Sequence, residues 1–317
     1  MLLAVLLVAG GVVAALLVRT GVGPLPDPER CTARVGDVEV SLTPTQSENA
    51  SLIAAVGVRR GLPARAVSIA LATAFQESKL ENLRGGDRDS VGLFQQRPSQ
   101  GWGTRAELVR PLYATNAFYD ALVQVDGYQD MRITEAAQEV QRSGFPEAYE
   151  DHAEGARALA SALTGWSPRR FSCVVDEPDV AVESAGADGL TPRAARVRAS
   201  LEGAFGPLSL GGFAPGGVTT GHMPGSTHYE GRAVDVFVRP INQTNRRTGW
   251  AIAAYLVAHA DQLDLGNVIF DGRIWSSGRS SESGWRTYTP PRDGSTPEEQ
   301  AILEHRDHVH VDVVRGE

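Results

Sequence analysis

The chain carries no excess of positive charge. Lys and Arg total 30 against 38 Asp and Glu, a net charge of −8, and no Lys/Arg-rich tail is present. A nucleic-acid binder needs a basic face, so nucleic acid is set aside as a partner. Long apolar runs are equally scarce. One stands out, residues 1–18 (MLLAVLLVAGGVVAALLV), which holds no charged group; a single such segment is too little for a transporter. No internal repeat is visible, which sets aside solenoids and propellers. Only two cysteines occur, Cys31 and Cys173, so a disulfide-dense scaffold is excluded as well.

What remains is ordinary for a folded globular protein, 42% hydrophobic and 21% charged. The length of 317 residues suggests two domains. Residues 1–18 fall between the apolar core of a signal peptide and a short spanning helix. They lack a basic leading segment and a clear small-x-small cleavage site. They therefore read as an uncleaved membrane anchor in preference to a signal peptide. Either one places the rest of the chain outside the cytoplasm, in contact with the membrane only through residues 1–18. In an exported chain an even cysteine count suggests a disulfide; Cys31 and Cys173 would bracket the first domain.

Residues 19–47 contain several prolines and read as a linker. Residues 48–173 read as a helical domain, with helices predicted near 105–125, 134–142 and 147–163. The stretch LPARAVSIALATAFQESKL places an apolar stripe of Val67, Leu71, Ala74 and Phe75 on one helix. Residues 174–192 are acidic and poor in large apolar groups, a second linker. Residues 193–317 begin with a helix (193–204) and continue with strands predicted at 232–238, 267–271 and 308–314 around a helix at 247–263.

Two constellations carry chemistry. In AFQESKLENLRGGDRDSVGLFQQRP, residues 74–98, Glu77 stands near the end of an apolar helix. A carboxylic acid against apolar surface has its neutral form favoured, as a general acid for glycosidic cleavage requires; a solvated helix-end glutamate is the plainer alternative. The second lies in STHYEGRAVDVFV, residues 226–238. Val234, Val236 and Val238 alternate with Ala233, Asp235 and Phe237, a period-two strand with a carboxylate in its middle. An unpaired carboxylate there is costly, so Asp235 needs a cation, a base or a metal, and His228 lies just upstream. Near the C-terminus, EHRDHVHVDVV puts His308, His310 and Asp312 on one strand face and Val309, Val311 and Val313 on the other. His222, His259 and His305 read as surface or satisfied histidines, with His305 near enough in sequence to keep in view.

The strings QES and SVGLFQ resemble the lysozyme-like family of soluble lytic transglycosylases, with Phe94 where methionine is usual, and VQRSGFPEAY (140–149) is similar to the later part of such domains. This resemblance implies Glu77 as acid and then base on a β-1,4 muramic acid linkage, with Gln95 and Gln96 lining the sugar cleft. Asp87 and Asp89 lie in the loop where a hydrolytic lysozyme holds its water; a Gly-rich turn that favours Asp explains them equally. SxHxxGxAxD together with HxH resembles the LAS peptidases, the D-alanyl-D-alanine carboxypeptidases and related endopeptidases. That resemblance implies zinc on His228, Asp235 and His310 with one position open for water. It also implies a base, either His308 or Asp307; Asp307 stands where many members carry Glu, and strict alternation turns it away from the His308 face. NVIFDGRIWSSGRSSESGWRTYTP (267–290) is similar to a variant of this fold in secreted proteins, with Trp275 and Trp285 either lining a groove or packing.

The expected fold class is α+β: an all-α lysozyme-like domain, then a smaller α+β LAS-type domain with a central antiparallel sheet. The expected function is a membrane-tethered peptidoglycan hydrolase acting on glycan strands and stem peptides. A cell-wall binding protein with inactive sites is the alternative.

Overall fold

The computed structural model describes residues 29–290 and 296–317. The expected anchor at 1–18 lies outside the described residues, and among these no helix is long and apolar enough to cross a membrane.

Of the expected linker at 19–47, the described part from residue 29 holds regular structure. Strands β1 (Arg30–Val35) and β2 (Val38–Leu42) pair antiparallel around the two-residue turn Gly36–Asp37. Gly36 adopts φ 59°, the left-handed conformation that a tight hairpin turn of this length favours. On its other side β1 pairs with β3 (Phe171–Val174), giving the order β2-β1-β3. The first unit is therefore not all-α. Each strand is short, and the third partner comes from far along the chain, so the sheet has no local signature. The register sets Cys31 opposite Cys173, and the expected disulfide between them is present, with both residues 1% exposed.

Helix α1 (Pro44–Arg59) opens at Thr43, whose hydroxyl accepts from Gln46 N while Gln46 reaches back to Thr43 N, a capping box. Helix α2 (Ala64–Ser78) is buried almost all round: Ala66, Val67, Ile69, Ala70, Leu71, Ala72 and Ala74 are 0% exposed. The apolar stripe of the sequence thus widens to a full circumference, as expected for a helix enclosed by others. It is packed against α1, α4 (Pro111–Leu122), α5 (Ile133–Gln141) and α6 (Ala153–Leu163). The helix predicted over 105–125 is split, α3 (Arg105–Leu108) ending before Pro111, which opens α4.

Residues 175–191 form neither helix nor strand, yet they are pinned to the C-terminal unit. Val180 O accepts from Glu317 N (3.1 Å), Thr191 N donates to Gly231 O (2.8 Å), and buried Arg193 pairs with Glu183 (3.4 Å) and donates to Ala181 O (2.9 Å). Helix α7 (Pro192–Phe205) follows. The C-terminal sheet is antiparallel in every pairing, with order β4-β5-β9-β6-β7-β8. Its strands are β4 (Leu210–Gly211), β5 (Ala233–Phe237), β6 (Leu265–Phe270), β7 (Arg273–Ser276), β8 (Arg286–Thr287) and β9 (His308–Val313). Helix α8 (Gln243–Ala258) covers β6 and β9. Val234, Val236, Val309, Val311 and Val313 are all 0–1% exposed, so the alternation read from the sequence places the valines in the core. The short helix α9 (Pro297–Leu303) leads into β9.

The two units are packed together. Helix α1 lies on α7 and α8. Trp275 and Trp285, open between groove and packing in the sequence, donate their indole N–H groups to Cys173 O (3.0 Å) and Phe171 O (2.9 Å) of β3. They hold the small sheet against the C-terminal unit.

Candidate functional sites

His228 sits on a single 3-10 turn, Thr227–Glu230, whose start is capped by Ser226. The turn ends at Gly231, φ 66°, where a Cβ would meet Gly189 O at 2.4 Å; no other residue fits both demands. The chain then enters β5. Register pairs Asp235 with His310 across β5 and β9. The result is a compact triangle. His228 Nε2 lies 3.2 Å from Asp235 Oδ1, His310 Nδ1 lies 3.1 Å from the same oxygen, and the two nitrogens are 3.1 Å apart. Tetrahedral ligands at zinc bond lengths of about 2.0–2.1 Å stand about 3.3 Å from one another, so three donors already occupy nearly one face of such a tetrahedron.

The outer faces of both imidazoles are held. His228 Nδ1 donates to Gly212 O (2.8 Å), and His310 Nε2 meets Asp312 Oδ2 (3.3 Å). Asp312 is in turn fixed by Asn267, whose backbone N and side-chain Nδ2 both donate to Oδ1 at 3.1 Å. Such outer bonds fix which ring nitrogen faces inward. Burial by itself would raise Asp235, but hydrogen bonds from His228 and His310 outweigh it and hold the carboxyl well below its usual range. Burial likewise pulls His310 down, and the Asp235 and Asp312 carboxylates overcome that, pushing it up to about 9.

His308 stands beside this triangle with Nε2 3.8 Å from Asp235 Oδ1. Its Nδ1 meets Asp307 Oδ1 at 2.7 Å. The expectation that Asp307 turns away from His308 is corrected here: Asp307 precedes the strand, where alternation does not govern it, and its carboxylate reaches the imidazole. Its other oxygen accepts from Arg239 (2.7 Å). Asp307 is thus committed to orienting His308.

These groups open on a cavity of about 670 Å³ lined by His222, His228, Asp235, His305, His308 and His310. His222 and His305, read as surface or satisfied, both line the cavity, and His305 is satisfied there. His305 Nδ1 donates to Leu303 O (3.0 Å), and burial, then His308 and His310, push its pKa down to about 3. A second compact trio also forms, His222 with His228 and Asp235, whose ligand atoms lie within 4.8 Å of one another. The trio with His310 is tighter and has the fixed outer bonds, and is the better metal frame. His259 matches its expectation: it is buried between the units, donates to Tyr255 O (2.9 Å), and is pushed by burial down to about 4.

Glu77 occupies the last turn of α2, partly buried, before Lys79 and Leu80 turn the chain in left-handed conformations. Tyr149 OH donates to Glu77 Oε1 at 2.6 Å. Burial, then the Glu77 charge, raises the Tyr149 phenol far above its usual range, so it stays a donor. Tyr149 was missed as a partner, although it lies in the quoted stretch 140–149. Gln95 folds back on its own loop, donating to Gly92 O (3.0 Å) and accepting from Ser90 (3.1 Å). Gln96 is 2% exposed with neither amide atom hydrogen-bonded, so it faces the interior. Asp89 is a loop staple to Arg97 and Ser99, with the Ser99 amide first in holding its carboxyl low. The Asp87 side chain is 94% exposed and pairs with Arg88. A cavity of about 840 Å³ in this unit, with Trp102, Gln124, Glu139 and Gln141 on its walls, does not include Glu77.

Residues 186–300 are similar to the VldE C-terminal domain. The matched stretch holds His228 and Asp235 and stops before His308 and His310. The lysozyme-like and LAS-type resemblances rest on their motifs. Comparison with curated proteins finds no match.

Proposed function

We propose that this chain is an extracytoplasmic peptidoglycan hydrolase whose C-terminal unit binds zinc and cuts stem peptides, and whose helical unit cuts the glycan strand at Glu77. The observation that carries the reading is the triangle of His228 Nε2, Asp235 Oδ1 and His310 Nδ1. Two imidazole nitrogens and one carboxylate oxygen are a zinc donor set. Bound zinc supplies a Lewis acid and a water acidified toward neutral pH. The chain's own groups do the rest. Asp307 accepts at His308 Nδ1, which leaves His308 Nε2 facing the cavity to take and return a proton. Against burial, His308 first and then Arg239 hold the Asp307 carboxyl below its usual range, and Arg239 keeps it in place.

In the helical unit Glu77 delivers the proton to the glycosidic oxygen, and Tyr149 fixes its orientation. Both chemistries address one polymer, and the apolar segment 1–18 would tether the chain at the membrane that faces it. One observation favours a binding protein instead: both Asp307 oxygens are engaged, so no free carboxylate stands at the base position.

Mass spectrometry of muropeptides released from purified peptidoglycan by the zinc-supplied chain tests the proposal. Anhydro-muramyl ends mark a transglycosylase and reducing ends a lysozyme. Shortened stem peptides mark the zinc unit and name its bond. Co-sedimentation with the wall and no released product overturns the enzyme in favour of the binding protein.

A further inference from the structure

Six residues that line the cavity are histidines or aspartates, and the triangle uses three of them. Of the remaining imidazoles, His308 is tied through Nδ1 to Asp307 and His305 through Nδ1 to Leu303 O. His222 differs: among the described residues its ring makes no hydrogen bond. It sits on the glycine-rich loop between β4 and Ser226, stacked on His228 with centroids 4.0 Å apart and planes at 19°. Its main chain is pinned beside the ligand turn, because Tyr229 OH accepts from His222 N (3.1 Å) and donates to His222 O (2.5 Å). One ring nitrogen lies within 4.8 Å of the ligand atoms of His228 and Asp235. Tetrahedral neighbours stand about 3.3 Å apart, and a side-chain rotamer change is enough to close the gap from His222 to His228 and Asp235.

We propose that His222 is a displaceable fourth ligand that closes the His228–Asp235–His310 centre until it swings back onto the His228 ring. A site with four protein ligands leaves no exchangeable place. The tethered main chain and free ring suit a group that alternates between the metal and its stacked position. Substrate entering the cavity would compete for the vertex that His222 occupies. The inference rests on the zinc reading of the centre.

The test is cobalt(II) binding to the full chain, read by visible absorption and chelator competition. His222→Phe keeps a ring against His228 and removes the nitrogen. Its thermal melt should match the parent's. Its cobalt affinity should fall by more than the roughly 100-fold that loss of an outer-sphere partner can cost. Its bands should change, and added imidazole should restore them. Unchanged bands and affinity in His222→Phe overturn the proposal and leave the three-ligand centre standing. So does a result in which His308→Phe, not His222→Phe, alters the bands. A chain that takes up no cobalt overturns this proposal and the zinc reading together.

Discussion

The proposed centre should bind metal in a strongly pH-dependent way, with His310 setting the window. Without metal, His310 is wedged between Asp235 (3.1 Å) and Asp312 (3.3 Å), which raise it to about 9 against the pull of burial. A metal takes only the neutral imidazole, so the proton must leave first. One pKa unit corresponds to about 1.4 kcal/mol. At pH 7, about two units below the His310 value, removing the proton costs about 3 kcal/mol, a penalty on the order of 100-fold in apparent Kd. Because the pKa is raised, the proton competes below pH 9 and not above it. Zinc affinity should therefore tighten about tenfold per pH unit from 7 to 9 and then level off. Chelator competition across this range measures the slope. Calorimetry in two buffers of different ionisation enthalpy should show about one proton released per zinc near pH 7.5. Asp312→Asn, which removes one of the two carboxylates holding that proton, should flatten the slope. A Kd independent of pH between 7 and 9, with no proton released, would refute the placement of a charged His310 at the centre.

Glu77→Gln should abolish glycan cleavage with an unchanged melting temperature, measured by chromatography of released muropeptides; retained cleavage removes Glu77 from the chemistry. Leu71→Ala, at a fully buried site in α2, should cost about 2–5 kcal/mol in denaturant unfolding, and a loss below about 1 kcal/mol would show that the helix is not enclosed as described. Cys31→Ser opens a loop with a sequence separation of 142 and should cost up to about 5 kcal/mol by chain entropy, read from chemical denaturation. Glu48 faces the contact between the units, and burial, then the Asp261 charge, raises it to about 7. A raised carboxyl contributes stability that is complete below its unfolded value of 4.5 and lost as pH rises through 7. Glu48→Gln should accordingly raise the melting temperature at pH 8 and leave it unchanged at pH 4.5. Equal shifts at both pH values would count against the buried site.

Sequence legibility followed the range of the interactions concerned. The valine alternation in β5 and β9, the three main C-terminal strands and helix α2 with its apolar stripe were readable because period is a local property, whereas the enclosure of α2 on all sides was not. The pairing of Cys31 with Cys173 was readable from their number and bracketing positions, although not the strands that carry them. The hairpin β1–β2 was missed: each strand is only five or six residues long, and its third neighbour begins at Phe171. Likewise Pro111 divides what apolar periodicity alone continues as one helix.

The sequence by itself determined which residue types are present at the C-terminal centre: the spacing of His228 and Asp235, and the His308–His310 alternation that turns both side chains to one face. Tertiary structure alone decided their geometry. The β5–β9 register brings Asp235 opposite His310, and the loop fold sets His222 on His228. It also turned Asp307 into a support for His308, placed Tyr149 on Glu77, and made Trp275 and Trp285 anchors between the units. The reason is physical. Periodicity states which way a side chain points along its own element, whereas ligand distances and hydrogen-bond partners depend on where a second, sequence-distant element is packed.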